Sequence, residues 1–170
     1  HLRSISQLDG WLEDASFDDF QLSEANRAAY DAALQFTDNP TGWLTLWGTY
    51  GPGKTHLLAA IANRLTTEGK GAIYYTLPDL MDGLRASYKD DFTGTFHKVA
   101  NAPVLLIDEV DKINPTLWAM EKVYQLFDAR YRGLAQFGTV FAMNSRPEIG
   151  DDETDYLFSR MLDRRFQVIE

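Results

Sequence analysis

Residues Gly48 to Thr55 read Gly-Thr-Tyr-Gly-Pro-Gly-Lys-Thr, the full G-x-x-x-x-G-K-[ST] spacing of a phosphate-binding loop. Each residue type suits that chemistry. Gly48, Gly51 and Gly53 lack a Cβ, so the backbone can take positive φ and turn successive N–H groups toward a polyphosphate. Free N–H groups at the start of a following helix extend the anion cradle. Lys54 can reach the β- and γ-phosphates as a point charge, and the Thr55 hydroxyl is suited to ligating Mg²⁺. Pro52 stiffens the loop. With Tyr50 inside the loop and His56 just after it, the expected nucleotide-contacting set is Gly48, Tyr50, Gly51, Pro52, Gly53, Lys54, Thr55 and His56, for ATP or ADP with Mg²⁺.

A second constellation lies at Ala102 to Asp111, Ala-Pro-Val-Leu-Leu-Ile-Asp-Glu-Val-Asp, an apolar run ending in carboxylates. Such a run predicts a strand buried on both faces of a parallel sheet, with Asp108 at its carboxyl end, where ligands gather. Asp108 can hold Mg²⁺ or its water shell, and Glu109 can orient and deprotonate a water attacking the γ-phosphate. Asn144, at the end of another apolar run, either hydrogen-bonds the attacking water or γ-phosphate or merely punctuates strand and loop. Near the end of the sequence, Arg160, Arg164 and Arg165 fall on and after a helix. One of them, Arg160 first, can reach a neighbouring subunit's γ-phosphate; the alternative is pairing with Asp155 or Asp163 within one helix turn.

The elements needed to position these groups are legible as alternating patterns. Strands are predicted at 43–47, 72–77, 104–108, 139–144 and 166–169, with helices at 23–36, 56–68, 79–87, 92–100, 115–131 and 155–162. Strands alternating with helices form a parallel sheet covered on both faces. At 170 residues and 45% hydrophobic content, the chain suits one α/β domain. The net charge of -9 argues against bulk attraction to nucleic acid, leaving room only for a local basic strip. Basic residues such as Arg85, Lys89, Lys98 and Arg130 are each expected on a solvated surface. There is no cysteine, which excludes disulfide scaffolds and thiolate metal sites. No apolar run approaches a membrane span and the first residues lack a signal peptide's apolar region, so a cytoplasmic protein is expected.

In order and spacing, Gly48 to Thr55, Val104 to Asp111, Asn144 and the Ser159-Arg160 helix resemble the Walker A, Walker B, sensor 1 and arginine-finger motifs of AAA+ ATPases. Finer features are similar to the DnaC/DnaI helicase loaders and the related IstB transposition ATPases: Ser16-Phe17-Asp18-Asp19-Phe20, Gly-Lys-Thr-His-Leu at the loop, Tyr75 to Met81, and Asp128-Ala129-Arg130-Tyr131. The resemblance implies a five-stranded parallel sheet flanked by helices with a reduced or absent lid, as an N-terminal arm at 1–21 and an ATPase domain at 22–170. It implies ATP hydrolysis stimulated by assembly into an oligomer, in DNA replication, with a replicative helicase and single-stranded DNA as partners. Lys54, Glu109, Asn144 and Arg160 would be the catalytic set, and Thr55 and Asp108 the metal ligands. Phe17 and Phe20 would pack on the adenine or anchor the arm in the core. The segment 79–100 would meet DNA, with Arg85, Lys89 and Lys98 on phosphates and Tyr88, Phe92 and Phe96 as stacking or core residues. Nothing before Leu12 is patterned enough to supply a loader's helicase-binding segment. A transposition role and a small-molecule kinase are the alternatives; the kinase is disfavoured because Asp108-Glu109 suits an activated water, which a kinase must exclude.

Overall fold

Five runs rich in branched and aromatic residues pair into one sheet: β1 (Gly42–Trp47), β2 (Ala72–Thr76), β3 (Val104–Asp108), β4 (Gly138–Met143) and β5 (Gln167–Ile169). A computed structural model describes residues 8–51, 53–150, 155–163 and 165–170. The strand order is β2-β3-β4-β1-β5, and all four pairings are parallel. Among the described residues, six α-helices flank it: α1 (Arg27–Asp38), α2 (Gly53–Thr67), α3 (Leu77–Ala86), α4 (Phe92–Ala100), α5 (Leu117–Arg132) and α6 (Asp155–Met161). This is the AAA+ fold that the motifs imply. Among the described residues, no helix is long and apolar enough to cross a membrane.

Strand periodicity divides the core. Leu44, Leu46, Tyr74, Leu106, Val140 and Ala142 pack with α1 and α2 on one face. Trp43, Ile73, Leu105, Ile107, Phe141 and Met143 pack with α3, α4, α5 and α6 on the other. Because every residue of β3 and β4 is buried, their sequences are near-continuously apolar rather than alternating.

Caps decide several boundaries. Thr76 Oγ1 accepts the Asp79 N–H at 3.2 Å and Pro78 occupies the first turn, so Leu77, expected to end β2, instead opens α3. Thr116 likewise caps α5 through the Ala119 N–H, delaying its start beyond Pro115. The predicted beginning of α1 at Ser23 is replaced by a turn: Asn26 accepts from the Ser23 N–H at 2.7 Å and donates to the Gln21 carbonyl at 3.0 Å. That local bonding competes with helix, which starts at Arg27.

Arg130 departs most from its sequence reading. Rather than lying on a solvated surface, it is fully buried, at 0% exposure. It donates to Thr139 Oγ1 at 2.8 Å, to the carbonyls of Val99, Ala100 and Ala102 at 3.4, 3.0 and 2.9 Å, and to the Gly138 carbonyl. One guanidinium fork thus ties the C-terminus of α4 to the beginning of β4. Burial lowers its pKa to about 9, leaving it charged at neutral pH.

Ahead of α1, the arm lies along α2. Asn63 Nδ2 donates to the carbonyls of Leu12 and Ala15, both at 2.9 Å, and Leu12 and Ala15 are buried in the core.

Candidate nucleotide site

The order β3-β4-β1 sets the carboxyl ends of three strands side by side. The loop follows β1, Asp108 ends β3, and Asn144 follows β4 between them. Ligands of such sheets bind along this edge. Residues 53 apart in sequence meet there: Thr55 Oγ1 donates to Asp108 Oδ2 at 2.6 Å.

Asp108 is buried and gripped by donors. Besides Thr55, the Tyr74 hydroxyl donates to Oδ2 at 3.2 Å, and the Glu109 N–H donates to Oδ1 at 2.7 Å. A carboxylate and a hydroxyl in contact form the hard-oxygen pair suited to Mg²⁺, which takes few protein ligands and leaves the other positions to water and phosphate.

Lys54 lies within its own loop, its ammonium donating to the carbonyls of Gly48 at 2.9 Å and Thr49 at 2.7 Å. Partial burial lowers its pKa, opposed by attraction to Asp108 and Asp111. Of the three loop glycines, Gly48 alone has positive φ, 153°, a conformation closed to other residues. Positive φ was expected at Gly51 and Gly53 too, but α2 already begins at Gly53. Their lack of a side chain serves open approach instead: a Cβ on Gly51 would meet nothing within 4 Å, and one on Gly53 only the Phe20 ring at 3.8 Å. Pro52 lies outside the described residues.

Glu109 has φ 54°, a left-handed conformation rare for a side-chain-bearing residue. Its carboxylate pairs with Lys112 at 2.5 Å, and Lys112 Nζ also lies 5.8 Å from the centre of the exposed Tyr50 ring. Asn144 is half-buried, and its backbone N–H donates to Asp111 Oδ2 at 3.1 Å, so the last carboxylate of Asp-Glu-Val-Asp fixes the turn that presents Asn144.

His56 turns toward the arm. Its Nε2 donates to the Ser16 carbonyl at 2.7 Å, and its ring lies 5.4 Å from Phe20 and 5.9 Å from Trp11. Trp11, Phe20, Asn26, Gly53 and His56 border a cavity of about 440 Å³. A second, of about 380 Å³, shares Phe20, Asn26 and Gly53 and runs along the loop past Lys54. Phe20 therefore stands between two spaces next to the loop, whereas Phe17 packs edge-on against Tyr30 at 5.6 Å on the core side.

The arginines cluster elsewhere on the chain. Arg160 lies 4.1 Å over the Tyr131 ring and donates to the Tyr156 hydroxyl at 3.1 Å, with 31% of its side chain exposed. Arg165 is 58% exposed and pairs with Asp163 at 2.7 Å. That pairing raises the guanidinium's pKa and holds the Asp163 carboxyl well below the usual range. Arg164 lies outside the described residues. In 79–100, Tyr88 and Phe92 stack at 4.4 Å, Phe92 and Phe96 at 5.9 Å, and Trp118 Nε1 donates to the Tyr88 hydroxyl at 2.7 Å. These rings chiefly pack on one another and on α5. Arg85 lies over Trp118 at 4.8 Å, while Lys89 and Lys98 are exposed.

Over residues 12–162 the chain matches the bacterial DnaA ATPase domain. The chain belongs to that family. A curated relative, the chromosomal replication initiator protein DnaA of Geobacter metallireducens, is 33% identical over 130 residues, which cover 71% of this chain and 28% of that protein. The chain thus spans under a third of that relative's length. Its fold is also that of a solved replication initiator DnaA bound to AMPPCP and single-stranded DNA, with TM-score 0.83, 22% identity, and coverage of 96% of this chain and 50% of that one. The DnaC helicase loader superposes with TM-score 0.77 at 20% identity over 95% of this chain and 100% of that chain. The AAA+ placement read from the motifs is therefore met within a DnaA family, with the DnaC-like group as fold neighbours.

Sequence reasoning missed Tyr74, Asp111, Lys112, Trp11 and Asn26 at this site. Asp111 was legible only as part of a carboxylate cluster. Lys112 reaches it locally, pairing with Glu109 three residues earlier, whereas Tyr74, Trp11 and Asn26 reach it through packing that local sequence does not encode.

Proposed function

We propose that the protein binds ATP with Mg²⁺ and hydrolyses it to ADP and phosphate within an oligomer assembled on single-stranded DNA, serving replication as a helicase loader. The observation that carries the nucleotide and metal part of this reading is the 2.6 Å bond between Thr55 and Asp108, which joins the loop to the strand-end carboxylate. The loop amides and Lys54 bind the triphosphate, with Lys54 exchanging the Gly48 and Thr49 carbonyls for phosphate oxygens. Thr55 and Asp108 would hold Mg²⁺, which when bound neutralises charge on the β- and γ-phosphates. Glu109 accepts the proton of the attacking water once it parts from Lys112, and Asn144 orients that water or the γ-phosphate. Phe20 and Trp11 flank the base.

An arginine serving a neighbouring subunit's ATP completes the site. Arg160 is the first candidate and Arg165, the more exposed, its competitor; each would have to leave its present partners, Tyr156 and Asp128 for Arg160 and Asp163 and Tyr131 for Arg165. Lys89 and Lys98, with Arg85, are assigned to DNA phosphates, and the naming of curated relatives as replication initiators supports the process. The DnaA family match favours a second reading, in which the assembly serves replication as an initiator and not as a helicase loader.

The test is sedimentation with a non-hydrolysable ATP analogue and single-stranded DNA, alongside turnover of the parent and Glu109→Gln. Assembly with both additives, and a variant that binds ATP but turns over about 10²- to 10⁴-fold more slowly, are expected. A protein that stays monomeric at high concentration overturns the assembly model. Retention of a hexameric replicative helicase with ATP separates loading from the initiator-like reading.

A further inference from the structure

Tyr74 has no part in the chemistry above, yet its hydroxyl is spent on the site's most buried carboxylate. It sits in the middle of β2, 2% exposed, with its ring in the core beneath α1 and α2. Phenylalanine would fill such a position at no polar cost. A buried phenol needs a partner, and here that partner is Asp108 Oδ2 at 3.2 Å, the same oxygen that accepts from Thr55 at 2.6 Å.

The register explains the reach. Tyr74 pairs with Leu106 and Thr76 with Asp108, so the long phenol, starting two residues short of the strand end, extends along the α2 face to the sheet's carboxyl edge. Asp108 therefore has a donor on each side: the Glu109 backbone on Oδ1, Thr55 on Oδ2 from the loop, and Tyr74 on Oδ2 from the core. Of these, Thr55 lies in the first turn of α2 and is itself assigned to the metal, and Glu109 stands in a left-handed turn. Tyr74 alone approaches from a packed strand. Burial, and after it the Asp108 charge, raise the phenol's pKa, so it remains a donor throughout the neutral range.

We propose that Tyr74 is a positioning residue that fixes the Asp108 carboxylate for Mg²⁺, acting on the metal through Asp108 and not on the nucleotide directly. This rests on the assignment of Thr55 and Asp108 as the Mg²⁺ site. Outer partners that orient a metal-binding carboxylate typically change metal affinity by about 10–100-fold when removed. The 3.2 Å length of this bond puts the expectation at the lower end, roughly tenfold.

The experiment uses the full chain as parent and Tyr74→Phe, which keeps the ring and its packing. Binding of a fluorescent ATP analogue is titrated with Mg²⁺, and separately measured in EDTA, with thermal melting of both proteins. The expected result is a Mg²⁺ half-saturation about tenfold higher in the variant, with metal-free affinity and the analogue's maximal signal unchanged. A half-saturation within twofold of the parent overturns the proposal while leaving the nucleotide site intact. Equal losses with and without Mg²⁺ also overturn it, because they mark Tyr74 as a packing residue. A parent whose nucleotide binding ignores Mg²⁺ removes the metal assignment and the proposal together.

Discussion

Replacing Arg130 with methionine removes the guanidinium and keeps most of the buried volume, so the change isolates the polar bracket. Five acceptors lose a donor: the carbonyls of Val99, Ala100, Ala102 and Gly138, and Thr139 Oγ1. They are not equal losses. Val99 O still accepts the Ala102 N–H at 3.3 Å, and a hydroxyl can turn to another partner. Each buried acceptor left unsatisfied costs about 1–3 kcal/mol, and removing a buried charge returns several kcal/mol of desolvation. The three acceptors left bare, those of Ala100, Ala102 and Gly138, at about 2–3 kcal/mol each, less about 3–4 kcal/mol of returned desolvation, leave a net loss of about 3–5 kcal/mol, at the severe end for one substitution. For a chain of this size that lowers Tm by about 6–20 °C. Arg130→Lys keeps the charge but has only three donors on one atom, so it should melt between the methionine variant and the parent. Thermal denaturation followed by circular dichroism gives the ranking. Hydrogen exchange should show faster amides at the C-terminus of α4 and the start of β4, the segments the fork joins. A methionine variant melting within about 3 °C of the parent would refute the bracket, since the predicted loss corresponds to at least twice that shift.

Two other outcomes follow from the site. Asn63→Ala removes both bonds to the arm carbonyls and should cost about 1–2 kcal/mol locally; limited proteolysis should then cut the arm sooner, and ATP-analogue affinity should fall several-fold as the wall formed by Trp11 and Phe20 loosens. Affinity should also weaken at alkaline pH earlier than an ordinary lysine dictates: burial lowers the pKa of Lys54, the triphosphate favours its charged form, and binding that is complete at neutral pH is lost as pH rises through the lowered value. An affinity constant up to the unperturbed value of 10.5 would contradict that environment.

The sequence by itself determined the sheet's strands, most of the helices and the two motifs that meet at its edge. Those features are local: strand and helix periodicity, and glycine, lysine and threonine at fixed spacing, carry their physics within a few residues. Val104–Asp108 and Phe92–Ala100 were legible to the residue because a fully buried run and a capped helix announce their ends. Asn26 hid the start of α1, since a side-chain hydrogen bond that favours a turn looks the same in sequence as one that caps a helix.

Only the tertiary structure decided which polar groups are buried and what they hold. Arg130 reads as another surface arginine until helix α4 and strand β4 close around it. Tyr74 reads as one aromatic of a strand until the register of β2 on β3 brings its hydroxyl to Asp108. His56 and Phe20 read as a loop neighbour and an arm residue until the arm folds back over α2 and makes them walls of one cavity. A buried polar group is stable only where distant partners complete its hydrogen bonds, and those partners are chosen by the packing of the whole sheet rather than by neighbours in the chain.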